Sequence, residues 1–222
     1  MPVPADFVAT QIDTLVDDFA IDACKTGMIA DPAVVDVVVE RARRHQWTVV
    51  VDPVMVAATG ARLVGAEVVE RLCKLFDVAR IITPNLDEVE VLLGERPSDP
   101  SAMESAGRTL ADRHGAAVLV KGGHLASDPV DVLVHDAGTT RLSGPRILGR
   151  VGHGTGCTYA ASLAGLLARG LAIEEAFVEA HAFVRGALAH GPRGLGRGSQ
   201  PLHPLHRVIA LEPPGPRDPS RR

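Results

Sequence analysis

Apolar positions along this chain follow two alternating rhythms. Val8, Ile12, Leu15, Val16 and Phe19 recur at helical spacing behind Pro4, which predicts an amphipathic helix over residues 5–19. A short apolar segment, Ile21 to Cys24, ends at Lys25-Thr26-Gly27-Met28. Asp31-Pro32 has the form of an N-cap with proline at the first helical position and opens a helix to about Arg44. Trp47-Thr48-Val49-Val50-Val51 is a β-branched run that stops at Asp52-Pro53, the pattern of a strand buried on both faces. The same alternation predicts a helix near Ala66–Phe76, a strand Ala79–Ile82 ending at Thr83-Pro84-Asn85, and a helix Leu86–Leu93. A further helix, about Ser101–His114, leads to a strand Ala117–Val120 that ends at Lys121-Gly122-Gly123.

Strands alternating with helices imply right-handed crossovers and a doubly wound α/β domain, its mostly parallel sheet covered by helices on both faces. The rhythm then changes. Val130–Val134 and Thr140–Leu142 flank His135–Thr139, which reads as a hairpin turn, so an antiparallel pair closes one edge of the sheet. A helix entered through Gly152-His153-Gly154-Thr155-Gly156-Cys157-Thr158 follows, and then a second from about Ile173 to His190.

At 222 residues and 46% hydrophobic, the chain suits one sizeable core, expected over residues 1–211. The tail 212–222, rich in proline and arginine, is expected to stay disordered. A net charge of -4 and only 3% aromatic residues speak against a nucleic-acid partner. Three cysteines without metal spacing suit a reducing cytoplasm, and the sequence offers neither a signal peptide nor an apolar run long enough for the membrane.

In open α/β sheets, ligands bind beyond the carboxyl ends of the strands. Here those ends carry Lys25-Thr26-Gly27-Met28, Asp52-Pro53-Val54-Met55, Thr83-Pro84-Asn85-Leu86-Asp87-Glu88 and Lys121-Gly122-Gly123-His124, and the glycine loop should join them. Bare N–H groups at the start of a helix hold an anion, and a thiol in that first turn has its thiolate stabilised. The plain alternative is a loop that turns the chain, with Cys157 as a small hydrophobe. Joined at one edge, the groups suit phosphoryl transfer, which needs positioning and charge neutralisation. Lys121 can meet a phosphate; Asn85 and Glu88 can hold Mg²⁺ directly or through water; Asp52 is a further carboxylate for metal or water. Each also has a structural reading, as a solvated strand end, a dipole partner or a turn residue. Gly194–Ser199 resembles a phosphate loop but follows a helix, and His203 with His206 lacks a third ligand for zinc.

Five ordered motifs, Lys25-Thr26-Gly27-Met28, Asp52-Pro53-Val54-Met55-Val56, Thr83-Pro84-Asn85 with Glu88, Val120-Lys121-Gly122-Gly123-His124 and His153-Gly154-Thr155-Gly156-Cys157-Thr158, closely resemble the hydroxymethylpyrimidine/phosphomethylpyrimidine kinases of thiamine biosynthesis, within the ribokinase-like superfamily. The resemblance implies ATP-dependent phosphorylation of a hydroxymethylpyrimidine and then of its monophosphate. It implies Cys157 as base, where most of the superfamily has aspartate, and Gly154, Thr155 and Gly156 as the anion hole. Asn85, Glu88 and Lys121 would face ATP and Mg²⁺, while Met28 and Val54 would line the pyrimidine pocket.

The chain also departs from the family pattern. A first strand, a Ser-Asp-x-Ser-Gly-Gly-type loop and a helix that supply much of that pocket have no counterpart in these residues. Thr26 stands where isoleucine is usual, Ala61 where aspartate is common, and Gly152 where threonine is common. An active pyrimidine kinase is therefore weighed against a catalytically weak homologue that binds nucleotide or a protein partner, a pyridoxal-type kinase, and a thiol enzyme using Cys157 as nucleophile. An unpaired sheet edge would favour a homo-oligomer.

Overall fold

The computed structural model describes residues 3–57, 61–147, 152–192 and 200–207. The predicted tail and Gly194–Ser199 lie outside them. Helix α1 (Ala5–Asp18) leads to strand β1 (Ala23–Thr26), helix α2 (Pro32–His45), strand β2 (Thr48–Val51) and helix α3 (Ala66–Phe76). Strand β3 (Ile81–Ile82), helices α4 (Leu86–Leu93) and α5 (Pro100–His114) and strand β4 (Ala117–Val120) follow. These four strands are parallel and lie side by side in chain order. Antiparallel β5 (Val130–His135) and β6 (Gly138–Ser143) extend the sheet to six strands.

Strand order equal to chain order has a consequence for the layers. Right-handed crossovers between consecutive neighbours put their helices on one face. There Val35 and Val39 of α2, Val68 and Leu72 of α3, and Met103 and Leu110 of α5 bury Val49, Val51, Ile82, Val118 and Val120. The opposite face is covered by the C-terminal pair, α6 (Thr155–Ala168) and α7 (Ile173–Ala189), rather than by crossover helices. Tyr159, Leu163, Phe177 and Val184 bury Val50, Ile81, Leu119 and Leu133. Strand β2 is buried on both faces, as its β-branched run predicts, because successive side chains alternate between these two cores.

Local chemistry sets most boundaries. Asp31 Oδ1 accepts from Ala33 N at 2.8 Å and Pro32 occupies the first turn of α2. Asp99 repeats the device on α5, accepting from Ser101 N and Ala102 N ahead of which Pro100 sits. Three details differ from expectation. Strand β3 has only two residues, the hairpin turns tightly at Asp136-Ala137, and Gly152–His153 (β7) pairs in parallel with Gln200–Pro201 (β8). Helix α1 also differs: it docks on α2 through the Asp13–Arg41 ion pair, yet Phe7, Leu15 and Phe19 stay more than half exposed. Among the described residues, no helix is long and apolar enough to cross a membrane.

Candidate active site

The site grows out of strand alternation. Val50 and Leu119 point into the core under α6 and α7, so Asp52 and Lys121, each two residues further on, fall on that same side beyond the strand ends. Lys25 stands opposite Val50 in the β1–β2 register and shares the side. The three side chains meet: Lys121 Nζ donates to Asp52 Oδ1 at 2.7 Å, and Lys25 Nζ lies 3.7 Å from Asp52 Oδ2. Asp52 is buried at 1% exposure, so both of its oxygens face ammonium groups rather than water.

The glycine loop arrives above this cluster. Gly154 caps α6 at φ 84°, a left-handed conformation that favours glycine, and turns the chain so that α6 begins at Thr155. A Cβ on Gly156 would sit 3.1 Å from Lys121 Nζ and 3.8 Å from Asp52 Oδ2, so the start of α6 lies directly against the charged pair. Cys157 is the third residue of the helix and is exposed.

Asn85 and Glu88 form a complete capping box on α4. Asn85 Oδ1 accepts from Asp87 N and Glu88 N, both at 2.9 Å, and Glu88 Oε2 accepts from Asn85 N at 2.8 Å. The structural role weighed for Glu88 is therefore present. Burial nevertheless pushes the Glu88 carboxyl up to about 7, against the pull of the nearby Lys121 charge. Burial also disfavours the Lys121 ammonium, but Asp52 and Glu88 outweigh it and hold the lysine above its ordinary value. Lys121 N donates to Pro84 O at 2.9 Å, which locks the β3 and β4 ends together.

A cavity of about 410 Å³ opens beside the cluster, lined by Asn85, Lys121, Thr155 and Gly156 and by the trio Asp131, Tyr159 and His181. Sequence reasoning missed this last trio. Asp131 accepts from Gly122 N at 2.9 Å and lies 4.0 Å from His181 Nε2. Burial raises the Asp131 carboxyl and lowers the His181 imidazole, and burial beside Asp131 pushes the Tyr159 phenol well up. Gly122 is fixed by contact, because a Cβ there would fall 1.9 Å from Val130 O. Arg146 ties the loop after β4 by donating to the carbonyls of Gly123, Leu125 and Ser127. Met28 is exposed beyond β1 and Val54 is half-buried just past Asp52; neither lines the cavity. His206 stacks on His190 and leans against Phe183, so it packs on α7 instead of standing free with His203. Among the described residues, no group of three or more His, Cys, Asp and Glu side chains is placed to hold a metal ion.

A lysine, a buried carboxylate and a glycine-opened helix meet at the ends of the parallel strands, and the sequence as a whole decides the family. The profile of the phosphomethylpyrimidine kinases matches residues 1–203. The chain belongs to the phosphomethylpyrimidine kinase family. Among its relatives, the thiamine biosynthesis bifunctional protein ThiED of Geobacter sulfurreducens is 39% identical over 95% of this chain, which spans 43% of that longer protein. The hydroxymethylpyrimidine/phosphomethylpyrimidine kinase of Salmonella typhimurium is also 39% identical, over 92% of this chain and 79% of its own length. Beyond the phosphomethylpyrimidine kinases, the pyridoxal kinase of Staphylococcus aureus in complex with AMP-PCP superposes with a TM-score of 0.85 at 29% identity, covering 94% of this chain and 77% of that one.

Proposed function

We propose that this protein transfers the γ-phosphoryl group of ATP to a hydroxymethylpyrimidine and then to its monophosphate. The observation that carries the reading is the placement of Lys121 and Asp52 against the first turn of α6, beside a cavity large enough for a nucleotide. Relatives named as kinases of these two pyrimidines, and a similar kinase fold bound to an ATP analogue, support it.

In this reading the backbone N–H groups of Thr155, Gly156 and Cys157 face the charge that builds on the phosphoryl oxygens during transfer, where fixed donors act most strongly. Lys121 meets the same phosphates from below. Cys157 takes the proton from the acceptor hydroxyl as its oxygen attacks phosphorus, with ADP as leaving group. Met28 and Val54 flank the acceptor from the β1 and β2 ends. The donor set fits Mg²⁺, which is commonly held by one or two carboxylates with phosphates completing the shell. Glu88 is the carboxylate placed to share in holding it, buried at the start of α4 beside Asn85 and within the field of Lys121. Asp52 is already engaged by two lysines and would act through them. When bound, the metal supplies charge neutralisation across the phosphates.

The test is direct. The purified full chain is given Mg-ATP and each pyrimidine, and phosphorylated products are identified by mass spectrometry. The Staphylococcus aureus likeness makes pyridoxal the second acceptor to offer; phosphorylation of pyridoxal alone would replace the pyrimidine reading with that one.

A further inference from the structure

The two lysines around Asp52 are not equally compensated. One buried carboxylate faces two ammonium groups, Lys121 at 2.7 Å and Lys25 at 3.7 Å. Lys121 also lies in the field of the Glu88 and Asp131 carboxylates, whereas among the described residues Lys25 has no ion-pair partner besides Asp52. A surplus cation at a nearly buried place is costly unless an anion joins it, and the side chain of Lys25 is only 19% exposed.

The two lysines address different directions. Strand order β1-β2-β3-β4 puts Asp52 at the end of β2, with Lys25 from β1 on one flank and Lys121 after β4 on the other. Lys121 lines the nucleotide-sized cavity, whereas Lys25 does not. Lys25 lies instead beneath the turn that carries Met28, since a Cβ on Gly27 would stand 3.0 Å from Lys25 Nζ. Lys25 also holds Asp52 more loosely than Lys121 does, leaving its ammonium protons open to a second acceptor.

The names of the relatives describe two acceptors, an alcohol and its monophosphate. The second brings a phosphate up to the γ-phosphate of ATP. Like charges brought close together in a partly buried site repel, so the second acceptor needs a cation that the first does not. We propose that Lys25 is this cation: it binds the phosphate already present on the acceptor and so determines specificity for the second phosphorylation, while Lys121 serves the nucleotide. The inference deepens the kinase reading above and rests on it.

The test compares Lys25→Met, Lys25→Gln and Lys25→Arg in the full chain. Asp52 keeps Lys121 in each variant, so no buried carboxylate is orphaned, and the two uncharged replacements guard against one of them failing to fold. The readouts are kcat/KM for both acceptors at saturating Mg-ATP and calorimetric binding of each acceptor without nucleotide. The expected result is that both uncharged variants lower the monophosphate-to-alcohol ratio of kcat/KM by roughly 30-fold or more, in line with loss of a charge-assisted contact. Monophosphate binding should weaken toward that of the alcohol, and Lys25→Arg should restore most of the ratio. Equal losses on both acceptors, or unchanged monophosphate binding, would overturn the proposal and leave Lys25 as a structural partner of Asp52. Wild-type protein that turns over neither acceptor would refute the kinase reading, and the calorimetry would still decide what Lys25 holds.

Discussion

Two buried side chains make the sharpest tests at the scale of single residues. Thr26 is 8% exposed, and its hydroxyl has no hydrogen-bond partner. Its register partner Val51 belongs to the core under α2 and α3, so the hydroxyl is desolvated among apolar groups. An unsatisfied buried hydroxyl costs about 1–3 kcal/mol, whereas an apolar group of the same shape costs nothing comparable. Thr26→Val is therefore expected to raise Tm by roughly 2–4 °C for a chain of this size; a lowered Tm would mean that the hydroxyl has a partner after all. Glu88 titrates in the opposite sense from a salt-bridged acid. Its carboxyl moves from an ordinary 4.5 to about 7 on folding. Between those values the folded chain binds more protons than the unfolded one, so this contribution to stability is full below about pH 4.5 and is lost as pH rises through about 7. The whole effect is on the order of 2–4 kcal/mol, since each tenfold change in proton affinity is worth about 1.36 kcal/mol. Glu88→Gln removes it. In metal-free, nucleotide-free buffer the Tm of the variant should gain on wild type from about pH 5 to about pH 8, and a constant difference would place Glu88 as ionised throughout.

Among elements, α6 concentrates the chemistry. Gly154 starts it, Gly156 lets it approach Lys121, and Cys157 presents a thiol at its first turn. Cys157→Ala should lower phosphoryl transfer by roughly 10² to 10⁴, the usual worth of a positioned base, with ATP affinity nearly unchanged. Turnover close to wild type would remove the thiol from the mechanism, and a substrate adduct on Cys157 in mass spectra would make it a nucleophile. Much of this element was legible in the sequence, because glycines that give way to a helix former announce a helix start. The strand ends were legible for a similar reason: each apolar run stops at a lysine, aspartate or asparagine beside proline or glycine. Lys25, Asp131, Tyr159 and His181 were harder to assign. Each is ordinary within its own segment, and only the sheet register and the docking of α6 and α7 bring them to the site. The β7–β8 pair carries no signal because two-residue strands have no periodicity, and β3 is shorter than Ala79–Ile82 because its neighbours, not its own residues, decide where the ladder ends.

For the whole molecule, the open question is what meets the β1 side. The sheet begins with β1, and among the described residues no strand pairs along its outer edge. The preceding helix α1 contributes no fully buried side chain and leaves Phe7, Leu15 and Phe19 at 57, 52 and 59% exposure. Large apolar side chains exposed together along one helix favour association. We propose that the α1 faces of two copies meet, since a twofold axis lets the same helix face pair with itself. Replacing Leu15 and Phe19 together by glutamate places two like charges per copy at such a contact without disturbing any buried residue. Sedimentation velocity of the wild-type chain should then show a dimer or larger species that the double variant shifts to monomer. The variant should keep its melting behaviour at low concentration, since those side chains contribute little to the monomer's own core. A wild-type chain that sediments as a monomer at all concentrations would sink the idea. A variant that stays associated would move the interface away from α1.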